Sequence, residues 1–287
     1  MQLGQPSRTA LATAYARAYH QIASEPRIFT DPLAIRIADV TPDQLSALDA
    51  ASMVEGDTDG DMRRRRRMFL AARARFAEQT IADAVAAGTR QVVILGAGLD
   101  TFAYRNPHPD VRVFEVDHPD TQAWKRQRLE TAGIEIPASL TFAPVDFESQ
   151  TLAAGLAAAN FDRDRPAVFI WLGVVVYLTR EAILDTLRFV AGQATPAQLV
   201  FDYLYPASAS TPEDAAQRAV RAERWAAVGE PWISFFTAEE IEDLLRETGF
   251  DQVDDYDAPK LIAGYLGTPP QPSSTVPLHM LRATRTA

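Results

Sequence analysis

Three aspartates each follow an apolar run: Asp117 after VRVFEV, Asp146 after SLTFAPV and Asp202 after QLVF. A fourth apolar run, VVIL, ends in a glycine turn, Gly96-Ala97-Gly98. Glycines at a strand end let backbone N–H groups approach a ligand closely, and a carboxylate at a neighbouring strand end can accept hydrogen bonds from it. Asp117 stands 21 residues beyond Gly96, where a carboxylate can take both hydroxyls of a ribose. Asp146 is followed by Phe147, a pairing suited to the exocyclic amine and face of an adenine. The bland alternative is that Asp117 and Asp146 only start turns or cap helices, since Asp-His-Pro and Asp-Phe-Glu both suit turns.

The turn is a poor cradle for a pyrophosphate. A dinucleotide fingerprint has a third glycine where this chain has Thr101, and the helix that would follow is cut by Asn106-Pro107 and Pro109. Ribose and adenine positions without a pyrophosphate position describe a simple nucleoside, and point to S-adenosyl-L-methionine as cofactor. A nicotinamide-dependent oxidoreductase is the alternative, favoured only by Gly-x-Gly and Asp117.

These residues need a scaffold that brings strand ends together. Five strand-like runs begin near residues 92, 111, 139, 167 and 198, separated by the helical stretches TQAWKRQRLETAG, ESQTLAAGLAAA and TREAILDTLRFVAG. Such alternation predicts right-handed crossovers and a parallel sheet with helices on both faces. A helical insertion (212 to 229), the helix TAEEIEDLLRETG, and the strand-like FDQVDDY and PLHMLRATR follow. The last two predict an antiparallel pair closing one edge of the sheet. Ahead of the first strand the chain reads as helical, with one long helix from Met62 to about Ala87. The expected division is a helical cap and lead-in helix over 1–88 and a catalytic core over 89–287, with a helical insertion near 206–235.

Composition excludes several function classes. The 287 residues are 47% hydrophobic and 23% charged, as in an ordinary globular protein. With no cysteine there is no thiolate nucleophile or metal site, and His20, His108, His118 and His279 share no metal-ligand spacing, so no metal is expected. A net charge of −10 disfavours nucleic acid and anionic membranes as partners, and the expected partner is a small-molecule acceptor. The N-terminal stretch lacks the long apolar core of a secretory signal, and the most apolar run, Ala167 to Leu178, is too short for a membrane span; the cytoplasm is the expected compartment. Five arginines, Arg63 to Arg67, point all around a helix axis; they read as a solvated helix start offset by the acids of EGDTDGD rather than as one basic face.

LGAGLDTFAYR, VFEVDHPDTQAWKR, the Val145-Asp146-Phe147 step and FIWLGVVVYLT resemble the leucine carboxyl methyltransferase-like family of S-adenosylmethionine-dependent methyltransferases, many of them associated with polyketide and other secondary metabolism. ARAYHQIASEPRIFTDPLA and AARARFAEQTI match its pattern too, so the likeness covers most of residues 9 to 205. The resemblance implies a Rossmann-like class I methyltransferase fold: an α/β domain with a seven-stranded, mostly parallel sheet and a reversed edge strand, topped by an N-terminal helical lid. It implies that Gly96, Ala97, Gly98, His118 and Leu172 line the cofactor, that Asp117 holds its ribose, and that Asp146 and Phe147 hold its adenine. It also implies that Arg73, on the long helix before the first strand, grips the cofactor carboxylate. The chain departs from the pattern in two places. Leu172-Gly173-Val174 stands where several relatives carry a glutamate, and no lysine precedes Lys125 where human-type members have one near the cofactor, which puts a transfer of protein-phosphatase tail methylation to this chain in doubt.

A carboxylate acceptor needs no base, whereas a hydroxyl acceptor does. The candidates for that base are His118, Tyr177 and Asp202. Trp225, Trp232, Phe235 and Phe236 are candidates for an apolar acceptor pocket beneath the lid, with packing of the insertion onto the sheet as the alternative. The expected activity is O-methylation of a small, fairly apolar hydroxyl or carboxyl compound. A non-catalytic protein that only binds the cofactor is the remaining alternative.

Overall fold

The computed structural model describes residues 7–51, 60–146, 149–206, 212–227, 229–270 and 277–286. Seven strands form one sheet: β1 (Gln91–Leu95), β2 (Arg112–Asp117), β3 (Leu140–Pro144), β4 (Ala167–Trp171), β5 (Ala197–Leu204), β6 (Gln252–Asp257) and β7 (Leu278–Arg285). Their order is β3-β2-β1-β4-β5-β7-β6. The first five are parallel, while β7 runs antiparallel to both β5 and β6. The expected antiparallel pair therefore closes one edge, with the reversed strand lying one position inside it. Chain order reverses between β1 and β4, and the carboxyl ends of those strands are where open α/β sheets hold ligands.

β1 and β4 are buried along their whole length, which is why they read as unbroken apolar runs. One face of the sheet, with Val93, Phe114, Phe169 and Phe201, packs under α6 (Leu152–Ala158), α7 (Arg180–Ala191) and α9 (Ala238–Thr248). The other face, with Val92, Ile94, Val113 and Ile170, packs under α4 (Gly60–Ala86) and α10 (Ala258–Leu266). α5 (Pro119–Thr131) follows β2, and α8 (Pro212–Ala227) follows β5. α1 (Arg8–Ala23), α2 (Ala34–Ala38) and α3 (Pro42–Ala51) form a cap in which α1 packs on α2, α3 and α4. Among the described residues, no helix is long and apolar enough to cross a membrane.

Local signals explain most helix ends. Ser7 caps α1, Thr179 caps α7, and Thr237 with Glu240 forms a capping box on α9, which stops at Gly249 with φ +107°. Three segments differ from expectation. The short helix expected after the glycine turn is one 3₁₀ turn, Phe102–Tyr104, because Phe102 and Ala103 bury at once and the prolines follow. α10 was not anticipated, although Asp257 caps it, Pro259 opens it and Gly267 ends it. The arginine run is not all solvated. Arg67 is buried over the Tyr19 ring, and it shares Asp49 with Arg63 at 3.1 and 3.5 Å. Most of EGDTDGD lies outside the described residues.

Gly96 is required twice over. Its φ is +64°, and a Cβ there would meet Val174 Cγ2 at 2.5 Å. Left-handed strain and overpacking each cost about 1–3 kcal/mol, so Gly96→Ala is expected to lower stability by about 3 kcal/mol in urea unfolding. An effect below about 1 kcal/mol would contradict the close packing of Gly96 on Val174.

The cap carries a pH-sensitive group. His20 on α1 is fully buried and accepts the Phe29 N–H at Nε2 (3.4 Å). Burial, reinforced by Arg67 and Arg27, lowers its pKa from 6.5 to about 4. The unfolded chain thus takes up this proton at a higher pH than the folded chain, so stability falls as pH drops from 6.5 toward 4 and is unaffected above that range. The loss reaches about 3 kcal/mol at the lower end. Unfolding free energies measured from pH 7.5 to 4 are expected to show this slope in the wild type and a shallower one in His20→Gln.

Candidate active site

The glycine turn and the end of β2 meet directly. The Gly98 N–H donates to Asp117 Oδ2 at 2.6 Å, and the His118 N–H donates to Asp117 Oδ1 at 2.7 Å. Each carboxylate oxygen thus has one backbone donor and keeps lone-pair capacity for a ligand hydroxyl. Burial raises the Asp117 pKa, partly offset by those two N–H bonds. Ala97 is buried at the turn. A Cβ on Gly98 would meet the Ala10 Cβ at 3.1 Å, so α1 lies directly on the turn.

A second group forms at the ends of β4 and β5. Arg73 Nη1 on α4 donates to Asp202 Oδ2 at 2.7 Å, and the Gly173 N–H donates to Asp202 Oδ1 at 2.5 Å. Gly173 has φ +71°, and a Cβ there would lie 3.2 Å from Arg73 Nη1. Because Gly96 abuts Val174, this group and the glycine turn are neighbours. Leu172 is partly buried and packs into the α4 side of the core.

The remaining expected residues sort differently. Asp146 follows β3, whose end is tied to β2 by the Val145 N–H donating to the Asp117 carbonyl at 2.9 Å. Its side chain accepts from Ser149 Oγ at 2.9 Å and its carbonyl from the Gln150 N–H at 2.7 Å, so it also organises the turn toward α6. Phe147 lies outside the described residues.

None of the three base candidates is arranged as a base. His118 is the N-cap of α5, and its Nδ1 accepts the Asp120 N–H at 3.2 Å. Nδ1 is therefore its unprotonated nitrogen and is already engaged. Tyr177 lies 3.2 Å from Thr9 Oγ1, and burial raises its pKa, which disfavours the phenolate. Asp202 has both oxygens bonded, one of them to a guanidinium.

Sequence reasoning missed the residues that fasten the cap to this site. Asp31 is fully buried between Arg17 Nε (2.9 Å) and Arg105 Nε (3.4 Å), and it accepts from Thr101 Oγ1 at 2.7 Å and the Leu33 N–H at 3.0 Å. Arg17 also donates to the Leu99 carbonyl at 2.5 Å, just past the glycine turn. Thr101, which counted as an absent glycine, is thus a docking point for the cap. At the other end of α1, Glu230 accepts the Arg8 and Thr9 N–H groups at 2.9 and 3.0 Å, and Trp225 packs on Ala12. Gly173 had a legible signal, since it ends an apolar run as Gly96 does. Arg17 and Glu230 had none, being single charges in unremarkable helical and loop contexts. Beneath Asp117, Lys125 Nζ pairs with the fully buried Glu115 at 2.7 Å.

Comparison with known proteins decides the class. The family model for leucine carboxyl methyltransferase matches residues 10–191, a span holding every residue above from Arg17 to Tyr177. The chain belongs to this family. Within the family it is 32% identical over 268 residues to YktD of Bacillus subtilis, a protein named provisionally as an S-adenosyl-L-methionine-dependent methyltransferase; the match spans 87% of this chain and 88% of that one. A similarly named protein of Mycobacterium tuberculosis is 36% identical over 194 residues, 66% of this chain and 62% of that one. Among solved structures, a Thermobifida fusca protein described provisionally as a methyltransferase matches with TM-score 0.59 at 17% identity, over 100% of this chain and 97% of that one. The CurJ carbon methyltransferase matches with TM-score 0.52 at 15% identity, over 97% of this chain and 67% of that one. These last two show a shared fold, which does not by itself select an acceptor atom. The family and the single 3₁₀ turn after Gly98 set aside the oxidoreductase alternative. The residues present fit the family's cofactor. Asp117 retains acceptor capacity for ribose hydroxyls, the turns at Gly96 and Gly173 admit no side chain, and Arg73 supplies a cation beside them.

Proposed function

We propose that this protein transfers a methyl group to an oxygen of a small, fairly apolar acceptor in secondary metabolism, and that the oxygen belongs to a carboxylate. The chain is an S-adenosyl-L-methionine-dependent methyltransferase; the proposal concerns the acceptor and the residues that serve it. Bound S-adenosyl-L-methionine supplies a methyl group already activated by its sulfonium. The protein's work is therefore to hold, orient and keep dry.

In this reading Asp117 holds the ribose hydroxyls, with the Gly98 and His118 N–H groups fixing its oxygens. Asp146 and Phe147 serve the adenine. Arg73 takes the cofactor's carboxylate beside Gly96, Ala97, Gly98 and Leu172. Residues 1–88 act as cap and lead-in helix, residues 89–287 as catalytic core, and the segment near 206–235 as an insertion that meets the cap.

The observation that carries the carboxylate choice is the engagement of every base candidate. Asp202 is paired with Arg73, His118 Nδ1 caps α5, and Tyr177 is held as a phenol. A carboxylate attacks without losing a proton, so a site without a free base suits it. Charge is neutralised as the methyl moves, so water exclusion by α1 and the insertion favours the reaction. Of the four aromatic candidates, Phe236 packs into the core and Trp225 against Ala12. Trp232 packs with Trp225 and Ala12 where α1 meets the insertion, and it and the partly buried Phe235 remain the candidate acceptor contacts.

The test is release of S-adenosyl-L-homocysteine from purified protein given S-adenosyl-L-methionine and a panel of aromatic and polyketide-like acids and phenols. Turnover with acids supports the proposal. Turnover with phenols alone transfers the reading to a hydroxyl acceptor, and cofactor binding with no turnover or acceptor binding across the panel favours the non-catalytic alternative.

A further inference from the structure

Asp202 was a candidate base; its surroundings give it a different task. We infer that Asp202 is a positioning residue that aims the Arg73 guanidinium at the cofactor's carboxylate, an inference that rests on the proposed role of Arg73. The pair is buried, with the Arg73 side chain 9% and the Asp202 side chain 5% exposed. One oxygen of Asp202 receives Arg73 Nη1 and the other receives the Gly173 N–H. The carboxylate therefore bridges α4 to the turn after β4 and fixes the guanidinium in azimuth. Gly173 leaves room for this approach, since its missing Cβ would lie 3.2 and 3.3 Å from the two terminal nitrogens.

A guanidinium carries five N–H donors, and here the bond to Asp202 uses one at Nη1. Among the described residues, Nε and Nη2 make no hydrogen bond. Neither nitrogen is a buried atom left without a partner, so the Nε–Nη2 edge opens onto accessible space, and it is a fork that matches a carboxylate in two parallel bonds. Fork geometry is useful only if the plane is held, which is what the Asp202 bond achieves from the opposite edge.

The two explanations of Asp202 differ in sign. As a charge alone it repels an incoming carboxylate, so neutralising it should tighten cofactor binding. As a positioning residue its loss frees the guanidinium and weakens binding, and only for ligands that carry the carboxylate.

The experiment is calorimetric titration with two ligands, S-adenosyl-L-homocysteine and 5′-methylthioadenosine, which keeps the nucleoside and lacks the amino-acid carboxylate. Arg73→Ala is measured first. Equal binding of S-adenosyl-L-homocysteine by wild type and Arg73→Ala overturns the role of Arg73 itself, and the positioning role with it. Given a selective loss in Arg73→Ala, Asp202→Asn is expected to bind S-adenosyl-L-homocysteine about tenfold more weakly and 5′-methylthioadenosine within about twofold of wild type. Unchanged or tighter S-adenosyl-L-homocysteine binding, or equal losses for both ligands, overturns the inference. Should Asp202→Asn fail to fold, Gly173→Ala displaces the guanidinium by a methyl group instead. The same selective loss is expected from it, and wild-type binding of both ligands overturns the inference.

Discussion

Asp117→Ala is expected to weaken S-adenosyl-L-homocysteine binding by at least about 100-fold, the largest effect of any single change at the cofactor site. Two contributions combine. The variant loses the acceptor for ribose hydroxyls, and hydrogen bonds to a charged group contribute about 1.5–3 kcal/mol each. It also releases the Gly98 and His118 N–H groups, which Asp117 now binds at 2.6 and 2.7 Å, so the turn is no longer held in shape. The second contribution acts on the free protein as well, and Asp117→Ala is expected to lower stability by about 2 kcal/mol. Asp117→Asn keeps one acceptor oxygen and should fall between. Calorimetry with S-adenosyl-L-homocysteine and urea unfolding of both variants measure the two parts separately. An affinity within about threefold of wild type would remove Asp117 from the cofactor site.

Asp31→Ala is expected to cost about 4 kcal/mol of stability, because breaking a buried ion pair leaves its partner charged and desolvated. Asp31 joins two arginines, a threonine hydroxyl and a backbone N–H in a site almost closed to water. Its two cations fare differently on its removal. Arg105 retains both oxygens of Glu78, whereas Arg17 retains Asp100 at 4.0 Å and the Leu99 carbonyl. Arg17 sits on α1, so the defect falls on the attachment of the cap to the glycine turn. The expected signature is a lower unfolding free energy together with faster protease cleavage within α1 and α2. Asp31→Asn retains shape without charge and should be affected less. A loss below about 1 kcal/mol with unchanged cleavage would mean that α1 is held by its Glu230 and Trp225 end instead.

Both variants probe the boundary between what was legible in the chain and what was not. β1 and β4 were visible because they are buried on both faces and hold no polar alternation, while β2, β3 and β5 showed shorter apolar runs at helix-spaced intervals. Gly96 and Asp117 were visible because a positive-φ turn and a strand-end carboxylate are local features, read from a few consecutive residues. The antiparallel closure by β6 and β7 was read from two strand-like runs joined after the parallel series, although α10 between them went unread.

The tertiary structure alone decided which charges face one another. Arg73 and Asp202 are 129 residues apart, Arg17 and Leu99 are 82 apart, and Thr9 and Glu230 are 221 apart. Asp202 looked like a base because an acid at a strand end can be one; the arginine opposite it makes it an anchor. Thr101 looked like a defect in a fingerprint, and Asp31 makes it a tether for the cap. The arginine run looked solvated, and Tyr19 and Asp49 draw Arg67 inward. Strand, helix and turn are set by short-range periodicity and backbone conformation, which consecutive residues encode. The role of an ionisable group is set by its partner and its access to water, and both are settled only when distant segments pack.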